Sequence, residues 1–419
     1  MTAPRRPLVA VVFGEGSVAA MALREVAADL CDIVWIFDSS QITQTWIVRL
    51  LHKLGQTIDI AGLSVDEAAA ALRLLEPNGI VAYADAQIAT ASALAAQLGL
   101  NYFDSFVTQR LLDKVVQRQA LHDAGLPTPR CLVVPPQPTS EEVSALIAGV
   151  SFPVVLKPRH GAASRETHLA RDAEELEKLL IEVSTHESDL EMVVEEFMGA
   201  ASPPPSPHFA DYASVESIVA GGQISHVAVT GRLPSAKPFR ETGYVIPSDF
   251  APEVIETILT VATDAIKAIG IEIGCLHTEI KVTDKGVRVI EVNGRLGGFV
   301  PETVALAVPG VNLLEISLRV ALGEEIAFEG PLPSDHVAYL VVGQPPLGAR
   351  RVVGVDGLDR LSSYPGVNSV SLSRRPGDPV DWRKGSHEFV FSVFGTAPDH
   401  ESVQTLERFI DDEVVVSYE

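Results

Sequence analysis

Apolar residues along this chain repeat with two periods, and the alternation of those periods outlines a fold. Near the N-terminus, unbroken apolar runs at 8–13, 33–37 and 80–83 read as buried strands, and the stretches up to Ala28 and at 65–75 carry apolar residues at helical spacing. Strand–helix–strand order of this kind predicts a small open parallel sheet with helices on both faces. A different pattern begins at Asp211. Residues 211–219 and 223–230 read as paired strands across Gly221-Gly222, and 275–282 and 287–292 alternate apolar with polar, as strands with one covered face do. Asp284, Lys285 and Gly286 between the latter two predict a three-residue hairpin loop with glycine in the left-handed position. Helical patterns occupy 111–125, 173–183, 253–269 and 312–322, a run at 300–308 precedes the last of these, and an apolar strand at 152–157 ends on a lysine. Beyond residue 327, strands at 337–342, 349–355 and 389–396 and a helix at 401–411 predict a compact α+β unit. The expected architecture is mixed α/β and α+β in three parts: an open parallel α/β domain at 1–106, a central domain at 107–326 with a subdomain at about 126–200, and a small α+β domain at 327–419.

Composition narrows the function classes. The 419-residue chain is 47% hydrophobic and 21% charged, with a formal charge of −23. That is ordinary for a soluble enzyme and unsuited to a nucleic-acid partner, because phosphate backbones are gripped by clustered Lys and Arg. Cys31, Cys131 and Cys275 lie far apart in apolar settings, so buried reduced thiols are expected rather than a disulfide or zinc site. No stretch approaches the ~20 apolar residues of a membrane span, and the short first apolar run lacks the pattern of a signal peptide. A cytoplasmic protein without a membrane partner is expected. Gly14 and Gly16 suggest a dinucleotide turn, but the third glycine of that fingerprint is absent.

Candidate chemistry concentrates in the 275–292 hairpin. If Thr283 pairs with Val287, then Lys281 faces Val289 and Glu279 lies opposite Glu291 on one face, joined two residues later by Asn293. Like charges directly opposed destabilise a sheet, so a cation between them is expected. Two carboxylates and an amide oxygen are hard ligands that suit magnesium, with manganese as a substitute, and magnesium keeps substrate phosphates and waters in its shell. Such a site predicts a nucleotide. Arg295, in the glycine-bearing turn that follows, could reach a transferring phosphoryl group. The plain alternative is a solvated hairpin whose acids face water. Upstream, Lys157 at the end of an apolar strand needs an anion, and the loop after it, rich in Gly, Ala and Ser, lets backbone N–H groups approach phosphates.

The run His277-x-Glu279, followed by Glu291-x-Asn293-x-Arg295-x-Gly297-Gly298, resembles the magnesium-binding signature of the ATP-grasp ligases, specifically their amino-acid and dipeptide ligase branch. The resemblance extends over 8–323 and implies an ATP-grasp fold using ATP and magnesium, with Glu279, Glu291 and Asn293 on the metal and Arg295 on the developing charge. It implies that Lys114, on a segment similar to the family's entry helix, and Lys157 contact nucleotide phosphate. The loop bearing Gly161 and Ser164 would close as a lid. Glu195, Glu196 and Met198 would form the adenine hinge, and Asp211, after a proline-rich insertion at 200–210, would meet the ribose. Glu241, Tyr244, His277 and Gly298 would serve the substrates; Tyr244 stands where histidine is common, which leaves the amino substrate open. The implied activity joins a small carboxylate to an amine, such as two amino acids, through an acylphosphate with release of ADP and phosphate, in dipeptide or secondary-metabolite biosynthesis. A homodimer is compatible with this reading. Carboxylation with bicarbonate on the same machinery, and a non-catalytic ATP-binding regulator, are the alternatives.

Overall fold

The computed structural model describes residues 5–14, 16, 18–187, 189–206 and 208–419. Residues 1–4, where the signal-peptide reading starts, and Glu15 and Ser17 of the glycine turn lie outside them, as does Pro207 of the proline run. The first part comprises β1 (Leu8–Val12), α1 (Ala20–Ala27), β2 (Asp32–Phe37), α2 (Thr45–Leu54), β3 (Gln56–Asp59), α3 (Val65–Arg73), β4 (Gly79–Ala82) and α4 (Asp85–Leu98). Its four strands form a parallel sheet in the order β3-β2-β1-β4. The α2–β3 pair was not visible in the sequence, since Gln56, Thr57 and Asp59 break the apolar run of an edge strand. Helix α3 begins where Ser64 and Glu67 form a reciprocal capping box.

Helices α5 (Ser105–Leu112) and α6 (Lys114–Asp123) lead into a second sheet, built from β5 (Cys131–Val134), α7 (Ser140–Ala148), β6 (Val154–Pro158), β7 (His168–Ala170), α8 (Ala173–His186) and β8 (Met192–Glu196). The strand order is β5-β8-β6-β7. Leu156, Leu176, Leu180 and Val194 make its core, so this stretch buries an apolar face of its own.

The remainder is one large antiparallel sheet and a small two-stranded one, with helices laid against them. It contains β9 (Tyr212–Ala220), β10 (Gln223–Arg232), β11 (Gly243–Ile246), α9 (Pro252–Ile269), β12 (Gly274–Thr283), β13 (Gly286–Asn293), α10 (Val300–Ala307), α11 (Leu313–Ala321) and β14 (Val337–Gly343). After these come β15 (Val352–Asp356), α12 (Leu358–Leu361), β16 (Val367–Leu372), a 3₁₀ segment at Trp382–Glu388, β17 (Phe391–Ala397), α13 (His400–Glu413) and β18 (Val415–Tyr418). Eight strands run in the order β13-β12-β9-β10-β11-β14-β17-β16. The expected separation at residue 327 therefore needs correction. Strand β14 pairs with β11, placing Leu340 opposite Tyr244, and Leu233 and Val245 share a core with Val393 and Leu406. The chain beyond residue 327 extends the central sheet instead of standing apart from it.

The hairpin register also differs from expectation. Thr283 pairs with Gly286 and Lys281 with Arg288, leaving a two-residue turn of Asp284 and Lys285. An extra residue, Ile290, then bulges out of β13, and the slip cancels: Glu279 still faces Glu291. Among the described residues no helix is long and apolar enough to cross a membrane.

Candidate active site

Helix α6 is where the second sheet and the large sheet meet, packed against both β5 and β13. Asp113 caps it by accepting from the Val115 N–H at 2.9 Å, and the same carboxylate takes Arg159 Nη2 at 2.6 Å. One acid thereby starts the helix that carries Lys114 and anchors the residue two positions after Lys157. Further along α6, Gln117 docks on the free edge of β13: its Nε2 donates to Val292 O at 3.0 Å, and its Oε1 accepts from Val292 N at 2.9 Å. Arg118 donates to the carbonyl of the bulged Ile290. The bulge opens the edge and α6 closes it, satisfying backbone groups that would otherwise be buried unpaired.

Lys157 lies on β6 and Glu195 on β8. Val155 and Glu195 are paired across the ladder, and Lys157 shares the face of Val155, so its amine reaches the carboxylate diagonally. Lys157 Nζ is 2.6 Å from Glu195 Oε2, while Arg118 Nε is 2.9 Å from Oε1. Glu195 is only 3% exposed. Burial alone would raise its pKa, but the two cations outweigh that and hold it at about 2. Lys157 is pushed down by burial, with Glu195 opposing. Glu195 thus has a role other than the expected adenine contact. It is the buried counter-ion of two cations, and Arg118, which no sequence motif marked, belongs to the site.

On the large sheet, Glu291, Glu279, Ser214 and Thr230 form a row across β13, β12, β9 and β10, one residue pair facing the next. Each acid of the Glu279–Glu291 pair has a protein cation. Lys114 Nζ lies 3.0 Å from Glu291 Oε1 and also donates to Gly161 O at 2.7 Å; His277 Nε2 lies 3.6 Å from Glu279 Oε1. Protein cations therefore stand beside both acids, where a single cation between them was expected. Burial raises the Glu279 pKa, but His277, Arg232 and Arg295 bring it below the usual carboxylate range.

His277 faces Glu216 on the adjacent strand, with Nδ1 2.9 Å from Oε2. Burial pushes the imidazole down, but Glu216 lifts it to about 9, so the ring is charged at neutral pH. Arg232, 1% exposed, sits over the Tyr244 ring at 4.2 Å and lies 3.1 Å from Glu241 Oε1, while the Tyr244 hydroxyl donates to Glu241 Oε2 at 2.9 Å. Gly297 has to be glycine, because a Cβ there would stand 2.6 Å from His277 Nδ1.

A cavity of about 560 Å³ lies between the two antiparallel sheets, within the range of small-molecule sites. Lys114, Lys157, Gly161, Ser164, Glu195, Glu196, Met198, Asp211, Glu241, Glu279 and Glu291 all line it. Asp211 grips Lys281 at 2.6 Å through Oδ1, and its Oδ2 is buried without a hydrogen-bond partner. Asn293, Arg295, His277, Tyr244 and Gly298 do not line that cavity. The Asn293 amide donates to His277 O within the ladder at 3.2 Å. Arg295 turns to Asp85 at the start of α4, with Nη2 2.7 Å from Oδ2. His277 and Tyr244 lie beneath the floor in the network just described, and Gly298 stands in the turn before α10, beside open space. No group of three or more His, Cys, Asp and Glu side chains placed to hold a metal exists among the described residues. Two opposed carboxylates still fit magnesium, which takes one or two carboxylates and completes its shell with phosphate and water.

The ATP-grasp domain family matches residues 214–302, the stretch from β9 to the start of α10 that carries both opposed glutamates. The whole fold superposes on the L-amino acid ligase from Bacillus licheniformis with a TM-score of 0.78, covering 99% of each chain at 20% identity. The chain has the ATP-grasp fold. Among curated relatives, an uncharacterised protein of Sinorhizobium fredii is 28% identical over 84% of this chain and 67% of its own length. Human carnosine synthase 1 is 26% identical over 75% of this chain, and the matched region spans 39% of that longer protein.

Proposed function

We propose that this ATP-grasp protein is an ATP-dependent carboxylate–amine ligase that joins an amino acid to a second amino acid or small acid. The observation that carries the reading is the Glu279–Glu291 pair on the wall of a cavity that also presents Lys114 and Lys157. The γ-phosphoryl group of ATP passes to a substrate carboxylate oxygen, its bond to the β-phosphate oxygen breaks, and ADP leaves. The amine then attacks the acyl carbon of the acylphosphate, the carbon–oxygen bond to phosphate breaks, and the amine loses a proton. Lys114 and Lys157 would hold phosphate oxygens, and Asp211, with an unpartnered oxygen, would accept from a ribose hydroxyl. Glu279 and Glu291 would hold magnesium, which supplies charge neutralisation on the phosphates when bound. Glu241, held from below by Arg232 and Tyr244, lines the acceptor side and would offer a carboxylate to an ammonium group. Most of the rate enhancement would come from positioning and electrostatics, since the chain needs no covalent nucleophile. Similarity to carnosine synthase 1 and to the L-amino acid ligase supports this class.

The test is mass spectrometry of products, together with ADP release, from ATP, magnesium and a pooled set of amino acids and small acids. An amide product formed with one ADP per bond is the expected result. ADP release driven by bicarbonate without an amine would replace the reading with carboxylation, and no ADP release from any mixture would leave a nucleotide-binding regulator.

A further inference from the structure

The sequence marked no role at the site for the chain beyond residue 327, yet the segment Trp382–Glu388 reaches into it, and Ser386 lines the cavity. The Ser386 N–H donates to Ala163 O at 2.8 Å. Its Oγ accepts from the Glu241 N–H at 3.0 Å. Its carbonyl accepts from Gln344 Nε2 at 2.9 Å, and the same nitrogen donates to Glu241 O at 2.8 Å. One residue therefore connects the loop after Lys157 to the backbone of Glu241.

The loop is clamped by the same segment at a second point. The Glu166 N–H donates to Arg383 O at 2.8 Å, and His168, bonded to Glu166 at 2.9 Å, meets the edge of Trp382 at 5.4 Å between ring centres. Ala163, Ser164 and Glu166 hold left-handed φ values of 56°, 57° and 45°, a conformation that non-glycine residues keep only where neighbours enforce it. Gly385 permits the contact: its φ is 81°, and any Cβ there would overlap the Ala163 carbonyl.

We propose that Ser386 is a positioning residue that ties the 161–167 loop over the nucleotide phosphates to Glu241 on the acceptor side. The assignment rests on the ligase reading. When the loop settles on phosphate, the Ser386 backbone moves with Ala163, and its hydroxyl carries the Glu241 N–H into place. Acceptor binding and loop closure then reinforce each other, and the acylphosphate is less exposed to water before the amine arrives.

Two variants of the full chain separate the links. S386A keeps the backbone bond to Ala163 and deletes only the hydroxyl link to Glu241, whereas G385A strikes the loop itself. In the ligand-free protein, amide hydrogen exchange read by mass spectrometry should speed up around Glu241 in S386A with 161–167 unchanged, and at both places in G385A. In turnover with the acid and amine found by the product screen, S386A should raise KM for the amine roughly three- to tenfold, the worth of one hydrogen bond, with KM for ATP within about twofold of wild type. It should also release more than one ADP per product, and S386T, which retains the hydroxyl, should restore tight coupling. Unchanged exchange at Glu241, with an unchanged amine KM and one ADP per product in S386A, overturns the assignment. If the wild-type chain turns over no acid–amine pair, the ligase reading falls separately and the exchange comparison decides whether the tie exists. S386A carries that decision where G385A does not fold.

Discussion

Lys157 and Glu195 are bonded at 2.6 Å across neighbouring strands, and the carboxylate is gripped from its other side by Arg118. Two cations share one acid, so the cluster of Lys157, Arg118 and Glu195 carries a net positive charge beside the cavity. Removing the acid would leave both cations buried without it. Glu195→Ala is expected to lower stability by about 3–5 kcal/mol, as loss of one partner of a buried pair does, measured as a shift of the urea midpoint at constant slope.

Acid should act on this same group. The Glu195 pKa falls from 4.5 to about 2 in the folded chain. A depressed folded pKa contributes stability that is present above the unfolded value and lost as pH falls through the folded one. Stability is therefore expected to decline between pH 4.5 and about 2, and that part of the decline should disappear in a Glu195→Gln background.

His277 works in the opposite direction. Its pKa rises from 6.5 to about 9 against Glu216, so its contribution is complete below pH 6.5 and is lost as pH rises towards 9. The expected outcome is a stability loss across that window in the wild-type chain and a flatter profile in His277→Gln, followed by chemical denaturation at each pH.

At the opposed acids, Glu279→Gln and Glu291→Gln should each cut ADP release on the order of a hundredfold or more while leaving the circular dichroism spectrum unchanged. Chelation of divalent ions should abolish wild-type turnover and added magnesium restore it. Thermal shifts with ATP, compared with and without magnesium, should show a metal-dependent gain in the wild type that both variants lose.

Arg295 is held by Asp85 at 2.7 Å, across the seam between the parallel sheet and the turn after β13. Asp85→Asn would leave the guanidinium in place chemically but less well aimed. A fall in kcat of roughly ten- to hundredfold, with KM for ATP little changed, is expected from steady-state kinetics.

The residues of the hairpin declared themselves in the sequence because strand periodicity is local. Two alternating segments around a short turn put Glu279 and Glu291 on one face, and the same local signals marked the strand ending at Lys157 and the helix that carries Lys114. Sequence periodicity also determined the parallel N-terminal sheet and most helix limits, since burial of one face requires a matching repeat. What only the tertiary structure decided is which charges meet. Arg118, one helical step from Gln117, gave no motif, and its partner lies 77 residues away. The Ile290 bulge rescued a register that the turn alone would have shifted by one residue. Arg295 found Asp85, and Ser386 arrived from a segment that the sequence assigned to a separate domain. Ion pairs and backbone contacts between distant segments depend on how whole sheets pack, and no spacing along the chain encodes them.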